Sequence, residues 1–165
     1  MIRKTMQLIN TDRATFEQLD PTRRIIDADH AHRFAIVRLE KWGDYGLGWN
    51  SELIEPSIAT LRNLIWIGVD QDVVVLDSTN GRVRMALPLW TPLFDIAVWN
   101  DSAIVISELE ILAFNFDASL RFVEGLPDIA ANWSFQDDQL SIELLDHATI
   151  TLDLRTGKEL SAMSA

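Results

Sequence analysis

The chain repeats itself every 38 residues. LDSTNGRV (76–83), FNFDASLR (114–121) and LDLRTGKE (152–159) begin at positions 38 apart. Carried backwards, the same register sets IWIGVDQDVVVLD (65–77) against AIVISELEILAFN (103–115) and SIELLDHATITLD (141–153) without a gap. Asp70, Glu108 and Asp146 share one column, Val74, Leu112 and Ile150 a second, Leu76, Phe114 and Leu152 a third, and Asp77, Asn115 and Asp153 a fourth. Any fold for this chain must build one structural unit several times in succession.

Each copy has the composition of strands: short runs of Val, Ile, Leu, Phe and Thr bounded by Asp, Asn, Gly and Ser. STNG (78–81) and RTG (155–157) are turn chemistry, because glycine tolerates positive φ and Asn or Asp bonds its own backbone. Ala118-Ser119 stands where the first copy has Asn-Gly, which predicts a looser turn or one of another type. The pattern predicts strands near 64–69, 73–78, 82–87 and 95–99, then 103–107, 111–116, 119–123 and 132–136, then 140–145, 149–154 and 158–162. That is about four strands per repeat, the arithmetic of a propeller blade. An apolar strand, then Leu-Asp, then Thr-Gly or Asn-Gly, then another strand resembles the repeats of quinoprotein-type β-propellers. The likeness is one of repeat style and covers about residues 64–160. It implies an all-β fold of antiparallel blade-like sheets in a partial or degenerate propeller. It does not imply a bound quinone, and no cofactor is assigned.

The N-terminal part departs from this pattern. Within a single domain of 165 residues, residues 1–60 read as a less regular segment and 61–165 as the blade-like repeats. TDRATFEQL (11–19) predicts a short helix stopped by Pro21, followed by strands at about 33–41 and 45–54. These strands form either a degenerate fourth blade or part of an open meander. An open array leaves strand edges to cover, so the expectation is a homodimer paired through sheet edges or an N-terminal segment that covers an edge.

A hydrophobic content of 48% supports a sizeable core. There are no cysteines, which excludes disulfides and thiolate chemistry and suits a reducing compartment. No apolar run approaches the roughly 20 residues that span a bilayer, and MIRKTMQLIN lacks the apolar stretch of a secretion signal; the expected location is the cytoplasm. The net charge is -11, with eight Lys/Arg and six Asp/Glu in residues 1–41 against six and nineteen in the rest. So negative a surface repels nucleic acid and anionic membranes and attracts a basic protein.

The repeat also sorts candidate sites, since a residue that recurs every 38 positions is accounted for by the scaffold. On this ground the acidic column of Asp70, Glu108 and Asp146 is turn chemistry rather than catalysis. No DxDxDG calcium loop, GxSxG elbow or Walker sequence is present. YGLGW (45–49) lacks the third glycine of a dinucleotide loop and reads as a strand adapted to a bulge or a close backbone contact. In DADHAH (27–32), His30 and His32 would share one face of a strand, which reads either as a polar connector or as two metal ligands. No catalytic residue is assigned.

The six tryptophans fall in no single column. Trp66 and Trp99 lie in predicted strands and read as core. Trp90 stands in ALPLWTPLF (86–94), an apolar link between blades, and with Leu89 and Phe94 marks a contact surface. Trp42, Tyr45 and Trp49 form a second part of that surface. The leading reading is a non-catalytic module that presents an aromatic patch on an acidic surface to a basic protein. One version is an inhibitor or immunity-type protein for a basic enzyme. The alternatives are a metal-dependent hydrolase using His30 and His32, and carbohydrate binding by exposed tryptophans.

Overall fold

The computed structural model describes residues 6–160. Fifteen strands among them form four sheets in chain order. The first holds β1 (Met6–Thr11), β2 (Arg24–Asp27), β3 (Arg33–Leu39) and β4 (Gly43–Trp49), with α1 (Arg13–Gln18) between β1 and β2. The second holds β5 (Ser57–Leu61), β6 (Leu64–Val69), β7 (Asp72–Asp77) and β8 (Arg82–Pro88). The third holds β9 (Leu93–Trp99), β10 (Ser102–Ser107), β11 (Glu110–Asn115) and β12 (Leu120–Gly125), and the fourth β13 (Ala130–Gln136), β14 (Gln139–Leu144) and β15 (Thr149–Asp153). The second and third are four-stranded antiparallel meanders, each strand paired with the next. The fourth repeats the meander with three strands. Where an outer strand would follow, residue 159 pairs with Leu152 in the register that joins Val83 to Leu76. Of the expected strand 158–162 only this single bridge is present among the described residues, and residues 161–162 lie outside them.

Three apolar layers hold the stack together. Ile65, Ile67, Val74 and Leu76 of the second sheet face Ala35, Val37, Leu47 and Trp49 of the first. Its other side, with Trp66, Val73 and Val75, faces Val105, Leu112 and Phe114 of the third. The third in turn packs Ile104, Ile106 and Ala113 against Leu140, Ile142 and Leu152 of the fourth. Strands covered on both sides read as near-continuous apolar runs, and β6 and β10 are buried at every residue, with only Ser102 and Ser107 at the ends of β10 polar. Among the described residues no apolar cluster joins the fourth sheet to the first. Among these residues the array is open. The outer side of the fourth sheet alternates out of the core as Ser134, Gln136, Ser141, Glu143, Thr149 and Thr151. Such a face meets water without exposing an apolar layer.

At the other end α1 closes the first sheet. Asp12 caps the helix by accepting a hydrogen bond from the Thr15 amide at 2.8 Å, and Phe16 packs with Ala31 and Phe34 on the outer side of β3 and β4. Gly46 makes this approach feasible: a Cβ there would stand 2.8 Å from Leu19 Cδ1 and the Phe16 ring. The YGLGW stretch is therefore a strand opened to close contact, as its sequence predicts. The N-terminal segment covers a sheet face as well as supplying strands. Its first sheet has four strands where the sequence pattern marks two, because MQLINT and RIID are short and gain their partners out of chain order, β2 lying parallel to β4. β5 was also unmarked, and its half-polar SIATL explains why.

The repeat columns are spatial columns. Val74, Leu112 and Ile150, like Leu76, Phe114 and Leu152, each face the preceding sheet. Ser57, Asp95 and Trp133, on the first strand of three successive sheets, form a chain of side-chain bonds: Ser57 Oγ to Asp95 Oδ1 at 3.3 Å and Trp133 Nε1 to Asp95 Oδ2 at 3.3 Å. These positions are also 38 apart, so the period read in sequence is the spacing between blades.

The turn column is structural as well. Asp77 accepts from the Thr79 hydroxyl at 2.6 Å and the Thr79 amide at 2.8 Å, and these bonds hold its carboxyl below the usual range. Gly81 (φ +71°) and Gly157 (φ +76°) take the left-handed position in their copies. In the middle copy Ala118 takes it at φ +69°, and the hydrogen bonds shift to Asn115 N to Ser119 O, a turn of another type as the sequence predicts. The left-handed conformation costs a non-glycine residue about 1–2 kcal/mol, partly offset by the extra entropy glycine loses on folding. Ala118→Gly is therefore expected to stabilise the chain by about 0.5–1 kcal/mol, read as a higher urea midpoint at unchanged m. A lower midpoint would show that the packing of Ala118 outweighs its backbone strain.

Candidate functional site

The strand connections divide between the two ends of the stack. One end carries the hairpin turns β6–β7, β10–β11 and β14–β15 together with the links between sheets. Its residues 50–56, 70–72, 89–92, 108–110, 126–129 and 145–148 hold Glu52, Glu55, Asp70, Asp72, Glu108, Glu110, Asp128 and Asp146, and neither Lys nor Arg. The opposite end interleaves Lys41, Arg62, Arg82 and Arg155 with its carboxylates. The acidic bias of the composition is thus concentrated on one face. Burial, with Asp70 beside it, pushes the Asp72 carboxyl above the ordinary range. The same face presents the two most exposed large apolar side chains of the described residues, Leu53 at 95% and Trp90 at 86%, and also Leu145.

Trp90 sits on a rigid mount. Its carbonyl accepts from Gln71 Nε2 at 3.1 Å, and the flanking amides of Leu89 and Leu93 donate to Gln71 O at 2.7 Å and Asp70 O at 2.6 Å. On the far side Glu108 N donates to Pro92 O at 2.9 Å, and Thr91 Oγ1 bonds Ser107 Oγ at 3.0 Å. Leu89 is buried and anchors the link from below. Two members of the acidic column bond nearby amides through their carboxylates as expected, Asp146 Oδ1 accepting from Ala148 N at 2.9 Å. Asp70 Oδ2 also accepts from Asn50 N at 2.8 Å, fixing the preceding link.

From Trp90 a groove of about 400 Å³ runs between the second and third sheets. Met85 and Leu87 form one wall and Leu112, Phe114, Leu120 and Val123 the other, and Glu110 is its single charged lining residue. A second groove of about 570 Å³ lies between the third and fourth sheets. Its Gly125, Leu126, Pro127, Ile150 and Leu152 are the 38-residue counterparts of Leu87, Pro88, Leu89, Leu112 and Phe114. The groove is therefore an echoed feature of the scaffold. Trp90 is not echoed: its counterparts are Glu52 and Asp128.

The other expected contact residues are placed differently. Tyr45 and Trp49 are buried between the first and second sheets. Trp42 is half-buried there, its Nε1 donating to Ser78 O at 2.8 Å, and Tyr45 Oη donates to Gly81 O. Trp42 and Tyr45 thus bind the next blade's hairpin, and the burial of Tyr45 and Trp49 keeps these two out of a contact surface. Phe94 turns away from Trp90 and stacks on Trp133 with centroids 6.2 Å apart. The spacing held a signal for this, since the bonds from Trp42 and Tyr45 both span 36 residues, close to the repeat length. His30 and His32 are exposed in a turn rather than on a strand, His30 at φ +56°, so they do not share a strand face. Among the described residues no group of three His, Asp or Glu side chains is placed to hold a metal ion.

No protein-family profile matches the chain, and no curated protein matches it in sequence. Solved structures do match in fold. The computationally designed Ika4 protein is 13% identical at a TM-score of 0.56, covering 67% of this chain and 73% of its own. BamB from Moraxella catarrhalis is 16% identical at 0.54, covering 94% of this chain and 49% of its own. Saccharomyces cerevisiae Sqt1 is 13% identical at 0.55, covering 78% and 42%. The chain thus spans less than half the length of the last two. At such identities the likeness shows fold alone, and the fold is that of β-propeller blades.

Proposed function

We propose that the chain is a non-catalytic protein-interaction module whose contact surface is Trp90 and the groove it heads, and whose partner is basic. The observation that carries this reading is an indole 86% exposed on a link fastened from both sides. Water-exposed tryptophan is costly, and nothing in the scaffold requires it at this position. A fastened link has already lost the freedom that binding would take away, which favours affinity. The carboxylates around it speed encounter with a cationic surface, and the apolar contacts slow release. Propeller-like scaffolds suit such a role.

The test is to identify what the tagged chain captures from its native cell and to measure its affinity for the purified partner. Trp90→Ala is expected to weaken binding by about 30-fold, the effect of losing a hot-spot tryptophan. Association is expected to slow as salt is raised. An unchanged Kd for Trp90→Ala, or a wild-type chain that retains nothing beyond what Trp90→Ala retains, would refute the reading.

A further inference from the structure

We propose that the head of the groove recognises an arginine side chain of the partner, the guanidinium stacking on Trp90 and pairing with Glu110 while neighbouring apolar side chains lie along the groove. This rests on the interaction reading and specifies its chemistry. The chain itself displays the arrangement three times: Arg13 stands 5.2 Å over the Phe34 ring and pairs with Glu17 at 3.8 Å. Arg33 stands 4.9 Å over the Trp49 ring and pairs with Glu55. Arg62 stands 3.7 Å over the Phe116 ring and pairs with Asp101. At the groove head the aromatic face and the carboxylate are both present, and the guanidinium is not.

Trp90 and Glu110 line the same cleft, and no cation of the described residues stands over Trp90. The Glu110 carboxylate, half-buried, makes no ion pair or hydrogen bond among the described residues. Removing a carboxylate from water without a partner is unfavourable, so an incoming cation gains by supplying one. Arginine fits better than lysine, because a planar guanidinium stacks on an indole while its edge reaches a carboxylate. The eight carboxylates of that end outnumber its cations, of which Arg33 is already paired with Glu55, so an approaching cation is attracted on balance. The remaining walls are apolar, so the residues flanking the arginine are expected to be Val, Leu or Ile.

The probe is the peptide acetyl-Leu-Val-Arg-Val-Leu-amide, compared with its citrulline counterpart, which has the same shape without the charge. Binding is followed by NMR through the indole Nε1–H resonances, that of Trp90 assigned with Trp90→Phe. The arginine peptide is expected to shift the Trp90 resonance and to bind at least about tenfold tighter than the citrulline peptide. Glu110→Gln, which breaks no bond in the fold, is expected to remove that difference. Equal binding of the two peptides with Trp90 shifted would overturn arginine recognition and leave the docking surface standing. Binding that leaves the Trp90 resonance unmoved, or no binding up to about 1 mM, would also overturn it. The interaction reading itself is decided separately, by capture from the native cell and by the partner's Kd for Trp90→Ala.

Discussion

Trp66→Ala is expected to destabilise the chain by about 3–5 kcal/mol. Trp66 is fully buried on β6, between the second and third sheets, and its ring lies 4.9 Å from that of Phe114 on β11. The surrounding wall is made of Val73, Val75, Val105 and Leu112, on strands locked into ladders on both edges, so it cannot collapse into the space left behind. Lost transfer energy and a residual cavity therefore add. The indole Nε1 has no hydrogen-bond partner, so truncation orphans no polar group, and Trp66→Phe should cost distinctly less while keeping the contact with Phe114. Urea unfolding at constant m measures both. A loss below about 1 kcal/mol for the alanine variant would mean that the second and third sheets do not meet through this layer.

Gly81→Ala is the second large effect, with an expected cost of about 2–5 kcal/mol. The residue is at φ +71°, which disfavours any side chain by about 1–2 kcal/mol. A Cβ there would also stand 2.7 Å from Cγ and Cδ2 of Trp42 and 2.9 Å from Tyr45 Oη, the groups that fasten this hairpin to the first sheet. The two contributions are separable by a double-mutant cycle with Trp42→Ala. The clash with the indole disappears once Trp42 is truncated, while the backbone strain and the close contact with Tyr45 Oη remain, so a coupling of about 1–3 kcal/mol is expected. Zero coupling would show that the hairpin does not rest on Trp42.

Which parts of this were legible in the sequence follows from how local each signal is. The blades from β6 onwards could be read because the same few residues recur at one spacing, and strand neighbours are chain neighbours. Asp12 and Pro21 bracket α1 within a few residues and marked it just as locally. The first sheet was not legible as a blade. β1 pairs with β3 across a helix and β2 runs parallel to β4, and pairing between distant segments leaves no periodic trace. Trp90 stood out because its link is apolar between two prolines. Trp42, Tyr45 and Trp49 were grouped with it because sequence shows which residues are aromatic and not which side of their strand the next sheet will cover. Glu110 carries no signal of its own in the sequence, and its place at the groove head depends on how the third sheet stacks against the second.

Labour is divided in this fold: echoed positions build the stack, and Trp90 is mounted on it without supporting it. The most direct measurement is the equilibrium unfolding free energy of Trp90→Ala. It is predicted to match the unsubstituted chain to within about 0.5 kcal/mol, as expected for an exposed residue that supports no packing. A loss above about 2 kcal/mol, in the range of a core truncation, would place Trp90 inside the scaffold and contradict the account.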